Sequence, residues 1–258
     1  MRLSKSTLFV AVLVAVCGVV VQAQPKHAPQ KAVAKTSSVQ LGDKVVVIPN
    51  PEGFEEGSSQ FKELRDRFQA TESPQADFLL AHLPESECRL LRNGGALQLN
   101  RYTKVSISKA LRAQTIFNPD MKAAIEDFRK NSGAILDPDG PTMKNVMERA
   151  EKGLTDLAST PIGINLGATQ NLGEFDVRPE VFSVMLLFTY NVDSNGTKTT
   201  VPMLCSMTFL KVQHRILFVN VYRKISSLAA LKTELKPGIA DVKQFTTKWV
   251  DEILAANQ

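Results

Sequence analysis

The stretch from Val181 to Arg223 constrains this chain more than any other. Phe182, Val184, Leu186, Phe188 and Tyr190 alternate along its first part, and successive strand side chains point to opposite faces, so these five share one side. Met185 and Leu187 make the other side partly apolar as well. Asp193-Ser194-Asn195-Gly196 follows, made of residues that tolerate the positive φ of a tight hairpin. Thr197 to Val212 runs back, Gln213-His214 turns again, and Arg215 to Arg223 completes a three-strand antiparallel meander. In the middle strand Leu204 and Leu210 face one way, while Met203, Cys205, Met207 and Phe209 face the other. A sheet that is apolar on both faces has to be covered on both.

The covers are read from helical spacing. Ser58 or Ser59 can cap a helix whose apolar stripe is Phe61, Leu64 and Phe68. Asn118-Pro119-Asp120 combines a cap, a proline at the first helical position and an acid near the positive end of the dipole. Met121, Ala124, Ile125 and Phe128 form that helix's stripe, and Asn131-Ser132-Gly133 stops it. A second start at Gly140-Pro141 leads to Met143, Val146, Met147, Ala150, Leu154 and Leu157, with Gly153 weakening the helix by about 1 kcal/mol relative to alanine. The last helix carries Val242, Phe245, Trp249 and Ile253, with Val250 and Leu254 beside them, and Trp249 anchors it on the sheet. Three further strands complete the pattern: Val45 to Ile48, closed by Pro49-Asn50-Pro51 and Gly53, then Phe78 to Leu83 and Leu97 to Ile107. The expected fold over residues 41–258 is therefore α+β. It is a single domain with a mainly antiparallel sheet covered by helices on both faces, an α/β/α sandwich with a helical insertion between about 108 and 158.

Val45 to Phe54, the meander from Phe182 to Tyr222, and Thr247-Lys248-Trp249-Val250 together give an element order that resembles the PsbP-like α/β sandwich among exported bacterial proteins. The resemblance rests on the order of elements. It implies an accessory or interaction protein rather than an enzyme, and the helical insertion departs from the simplest form of that fold.

Net charge is +5 and the pI about 9.1, which invites a nucleic-acid reading until the excess is located. Arg2, Lys5, Lys26, Lys31 and Lys35 all precede residue 41, where no acid occurs, and the remaining 26 basic residues balance 26 acidic ones. The domain is formally neutral, and no nucleic-acid partner is expected. Arg2 and Lys5 precede a 15-residue apolar run from Thr7 to Val21, shorter than the roughly 20 residues that span a bilayer. Val21-Gln22-Ala23 then offers small residues where a signal peptidase reads. A signal peptide over 1–23, cleaved after Ala23, is expected, leaving no integral span and placing the chain in the periplasm or outside the cell. Cys17 follows Val16 within the apolar run, which does not fit a lipoprotein signal. Residues 24–40 read as a flexible basic tether.

Chemistry is sparse. His27, His82 and His214 are the only histidines; His82 with Glu85 would supply two metal ligands, too few for zinc. No nucleophile elbow occurs, and Gly94-Gly95 lacks the residues of a phosphate loop. With Asp137 as the first position of a calcium loop, Glu148 falls at the twelfth, but Pro141 and Thr142 occupy its fifth and sixth positions, so a turn and helix start account for Asp137 to Gly140. Asn195-Gly196-Thr197 is formally a glycosylation acceptor that the hairpin turn also explains. Tyr102 between Arg101 and Lys104 reads as ordinary strand surface. No catalytic, cofactor-binding or metal-binding residue is assigned. Cys88, in a polar turn, and Cys205, within a strand, could form a disulfide closing a loop of about 117 residues, contributing roughly 4–5 kcal/mol. The functional expectation is an exported, non-enzymatic protein that binds a protein or an envelope component. The alternatives are an envelope hydrolase using dispersed carboxylates or a carrier of an apolar small ligand.

Overall fold

Strands with apolar residues on both faces cannot lie at a protein surface, and the central strands here are covered on both sides. The computed structural model describes residues 35–158, 162–194 and 196–258. The expected signal peptide, the first part of the tether and Asn195 lie outside the described residues. The expected meander is present as β7 (Val181–Ser194), β8 (Thr197–Val212) and β9 (Arg215–Lys224). Gln213 and His214 turn between β8 and β9 with φ of 47° and 59°, the paired positive angles of a two-residue hairpin.

Four more strands extend the meander into a seven-stranded antiparallel sheet: β3 (Phe54–Glu56), β4 (Ala76–Pro84), β5 (Arg101–Ser108) and β6 (Ile162–Arg178). The order is β3-β4-β5-β9-β8-β7-β6. β5 pairs with β9, so the chain must cross from one meander to the next after β5, and the insertion makes that crossing. A separate hairpin, β1 (Thr36–Leu41) with β2 (Lys44–Pro49), packs over one face beside α5 (Leu231–Ala255). The opposite face is covered by α1 (Lys62–Ala70), α2 (Glu85–Arg92), α3 (Asn118–Ile135) and α4 (Pro141–Ala158). Among the described residues no helix is long and apolar enough to cross a membrane.

The α5 face is built around Trp249. Its indole Nε1 donates to the Pro49 carbonyl (2.8 Å), and its ring stands edge-on to His82. His82 is fully buried and shares a 2.8 Å hydrogen bond between its Nδ1 and the Thr103 hydroxyl. Burial pushes its pKa down to about 3, so the ring is neutral. The guanidinium of Arg215 donates to the carbonyls of Leu41 and Gln114 and pairs with Asp43, fastening the β1–β2 hairpin to the end of the meander.

Several expectations need correction. The tether does not run to residue 40: Thr36–Leu41 is a strand, its exposure falling at every second residue and its backbone satisfied by β2. Ser58 and Ser59 do not cap α1, because both hydroxyls donate to the Glu56 carboxylate and the helix starts at Lys62. Leu97 to Asn100 is not strand. The Glu87 carboxylate accepts the Gln98 and Leu99 amides (2.8 and 2.7 Å), and Leu99 has φ of 52°, so β5 starts at Arg101. α3 continues through Asn131-Ser132-Gly133 to Ile135, helped by a 2.8 Å hydrogen bond from Asn131 to Asp127. The seventeen residues of β6 carried no recognised strand signal. They contain Gly163, Gly167 and Gly173 and three register shifts, as an edge strand tolerates. α4 blunts that edge, since Thr155 and Glu151 accept the Ile162 and Ile164 amides.

Gly153 is the point where α4 crosses the end of α1. A Cβ there would lie 2.6 Å from the Ala70 Cβ and 3.0 Å from its carbonyl oxygen, neither of which can swing aside. Gly153→Ala is therefore expected to destabilise by about 1–3 kcal/mol through overpacking, despite alanine's better helix propensity. Urea unfolding checks this, and a stabilised variant would contradict it. His82 supplies a second test. Its folded pKa lies below its unfolded value of about 6.5, so its contribution is complete above that value and is lost as pH falls toward about 3. Between pH 7.5 and 5.0 the native protein should lose roughly 2 kcal/mol more than His82→Gln. Equal losses in the two proteins would show that His82 titrates alike folded and unfolded.

Candidate functional site

Two places hold chemistry that the fold does not fully consume, one on the surface and one inside. The surface site follows from the geometry of α5. Lys243, Thr247, Asp251 and Ala255 recur every fourth residue and so form one row, opposite the buried stripe of Val242, Trp249 and Ile253. Phe175 of β6 faces this row across an open groove of about 900 Å³. The Lys243 ammonium lies 5.5 Å from the centre of the Phe175 ring, a cation–π contact. Arg178 bridges Asp176 and Asp251 (2.7 Å each), holding the end of β6 against α5. Lys248 pairs with Glu52, whose carboxyl it holds below its ordinary pKa. The groove thus has an aromatic floor, a mixed-charge rim and walls fixed by ion pairs.

The interior site lies on the opposite face, in the centre of the sheet. Lys104 of β5 and Asn220 of β9 are direct cross-strand partners, and Ser106 follows Lys104 on the same side. All three are completely buried. They share their face with Tyr102, Phe218 and Tyr222, which belong to the helix-side core. The Lys104 Nζ lies 3.0 Å from Glu72 Oε2, and Glu72 enters from the short segment between α1 and β4. Burial raises the Glu72 pKa, with Lys104 opposing the rise. Among the described residues, neither amide atom of Asn220 nor the Ser106 hydroxyl has a hydrogen-bond partner. A buried polar atom in that condition costs roughly 1–3 kcal/mol. Tyr102 stacks on Tyr222 (centroids 4.6 Å apart) and packs against Phe68 (5.4 Å), forming an aromatic wall.

The residues singled out from sequence fall elsewhere or play other parts. Cys88 is on α2, not in a turn, and its thiol donates to the Leu83 carbonyl; Cys205 on β8 donates to the Ser206 carbonyl. Both are free and buried, so the bridge considered between them is not formed. Burial pushes each thiol up to about 12, which leaves them unreactive. Asp137 Oδ1 accepts the Asp139 amide (3.0 Å), the turn geometry expected before α4. His214 packs its ring 5.6 Å from Phe117 at the hairpin tip. Tyr102 and Lys104 are core residues, not strand surface, and the Arg101 guanidinium lies 4.5 Å from the Phe245 ring and 3.2 Å from Asp241. The interior site was missed because Lys and Asn alternating with apolar residues read as the solvent side of a strand. Only the β-branched and aromatic residues on both sides of Lys104 and Asn220 could have suggested burial.

Four carboxylates in and beside the helical layer are taken up by protein partners. Glu56 takes the two serines, Glu87 the two backbone amides, Glu72 takes Lys104, and Glu55 forms a two-pronged pair with Arg92 that lowers its pKa.

Compared with protein-family models and with curated proteins, the chain matches none. Among solved structures it is similar to the Saccharomyces cerevisiae Ran-binding protein Mog1p, at 13% identity and a TM-score of 0.32, over 87% of this chain and 95% of that one. A likeness of that degree carries no argument about partner or activity.

Proposed function

We propose that this chain is an exported, non-enzymatic binding protein that holds a protein segment or envelope component in the groove between α5 and β6. The groove carries the reading: an open trough of about 900 Å³ with Phe175 as its floor and a fixed row of α5 side chains as its wall. Shallow sites of this kind suit an extended or helical partner better than a small substrate, which usually needs an enclosing pocket. Export is supported by Arg2 and Lys5, the apolar run from Thr7 to Val21, and the Val21-Gln22-Ala23 sequence. The element order that resembles the PsbP-like sandwich agrees with an accessory role in the periplasm. A hydrolase built from dispersed carboxylates is less well supported, because Glu55, Glu56 and Glu87 are each engaged in holding the fold.

A photocrosslinking side chain at Thr247, in the groove, is compared in cells with one at Lys122 on the far helical layer. The Thr247 probe should give a reproducible adduct in the envelope fraction, and Phe175→Asp should reduce its yield by about fivefold or more, as expected when an aromatic anchor is lost. Equal labelling from both positions, or labelling indifferent to Phe175→Asp, would remove the groove as the binding site.

A further inference from the structure

The polar residues at the centre of the helix-side core are arranged as a ligand site would be. Lys104, Ser106 and Asn220 are contiguous on one face of β5 and β9 and have no solvent exposure. The Asn220 amide and the Ser106 hydroxyl are unpartnered among the described residues, and the Lys104 ammonium, with three donors, meets the single Glu72 carboxylate in a 3.0 Å ion pair. Packing alone would have favoured apolar residues at all three positions, in the middle of a sheet whose inward side chains on the neighbouring strand β8 include Met203, Met207 and Phe209.

The unused capacity is richer in donors than in acceptors: an ammonium, an amide NH₂ and a hydroxyl stand against the single carbonyl oxygen of the Asn220 amide. A carboxylate accepts only and offers about four lone-pair sites, so it matches that set where an amine would not. Glu72 already places a carboxylate beside Lys104. It arrives from the segment joining α1 to β4 rather than from the sheet, so the strands hold the donors in place whether or not Glu72 is seated. Around them stand Tyr102 and Tyr222, with Met207 directly across from Asn220. Aromatic faces and an adaptable methionine can receive an apolar body.

The geometry points to an interior binding site for a small amphipathic monocarboxylate, its carboxylate held by Lys104, Ser106 and Asn220 and its apolar body against Tyr102, Tyr222 and Met207. Glu72 is the resident carboxylate of this site and competes with the ligand for Lys104. The site is separate from the α5 groove, on the other face of the sheet, and stands or falls independently of it.

Hexanoate is the probe, titrated into the full-length mature chain by calorimetry, with hexylamine as its matched cation. Saturable hexanoate binding is expected, about tenfold or more tighter in Glu72→Gln, which frees Lys104, and about tenfold or more weaker in Lys104→Met. Hexylamine should not bind. Circular dichroism and thermal unfolding establish that each variant is folded. Ser106→Ala, a smaller change, should weaken binding severalfold and serves if Lys104→Met does not fold. Absence of saturable hexanoate binding in both the native protein and Glu72→Gln overturns the proposal. So does equal affinity across the folded variants, or hexylamine binding as well as hexanoate.

Discussion

Everything in this structure follows from one constraint: a long antiparallel sheet whose central strands are apolar on both faces. Water must be kept from Phe182, Val184 and Leu186 on one side and from Met185, Leu187 and Leu204 on the other. Fully burying a side chain of this size contributes about 1.5–3 kcal/mol, so neither face could be left open without losing much of a domain's marginal stability. The helices α1 to α4 close one side. The β1–β2 hairpin and α5 close the other, with the Trp249 indole hydrogen-bonded to Pro49 as the pin between them.

That constraint was legible in the residues themselves. The alternation from Val181 to Arg223, the stripe through Val242, Trp249 and Ile253, and the proline starts at Pro119 and Pro141 each express a period that backbone geometry imposes, and each element formed where its pattern lay. What was not legible depended on contacts between residues distant in sequence. Glu87 reaches eleven and twelve residues along the chain to take the amides of Gln98 and Leu99 and so delays β5. β6 reads as a polar, glycine-bearing segment and becomes a strand because β7 offers it an edge. The buried positions of Lys104 and Asn220 are set by their cross-strand pairing, which no local pattern reveals.

The two candidate sites divide along the same sheet. The α5 groove is a surface feature made by one row of helix side chains and the end of β6, and it costs the core nothing. The Lys104 cluster, by contrast, places a charged pair and three unpartnered polar atoms in the most protected layer of the molecule. Such a cluster lowers stability unless something satisfies it, which is why it points to a ligand rather than to architecture. The charge distribution agrees with this division: beyond residue 40 the acidic and basic residues balance, so recognition has to come from local arrangement rather than from a general field.

The central claim is that both covers are integral to one sheet. Native-state hydrogen exchange, followed residue by residue, tests it most directly. The amides of Cys205–Phe209 and Phe218–Tyr222 should be the slowest, and those of α5 around Trp249 should open in the same global event, with the same free energy and denaturant dependence. Release of α5 at markedly lower free energy, with the strands still protected, would mean that the sheet tolerates one bare face and would contradict the claim.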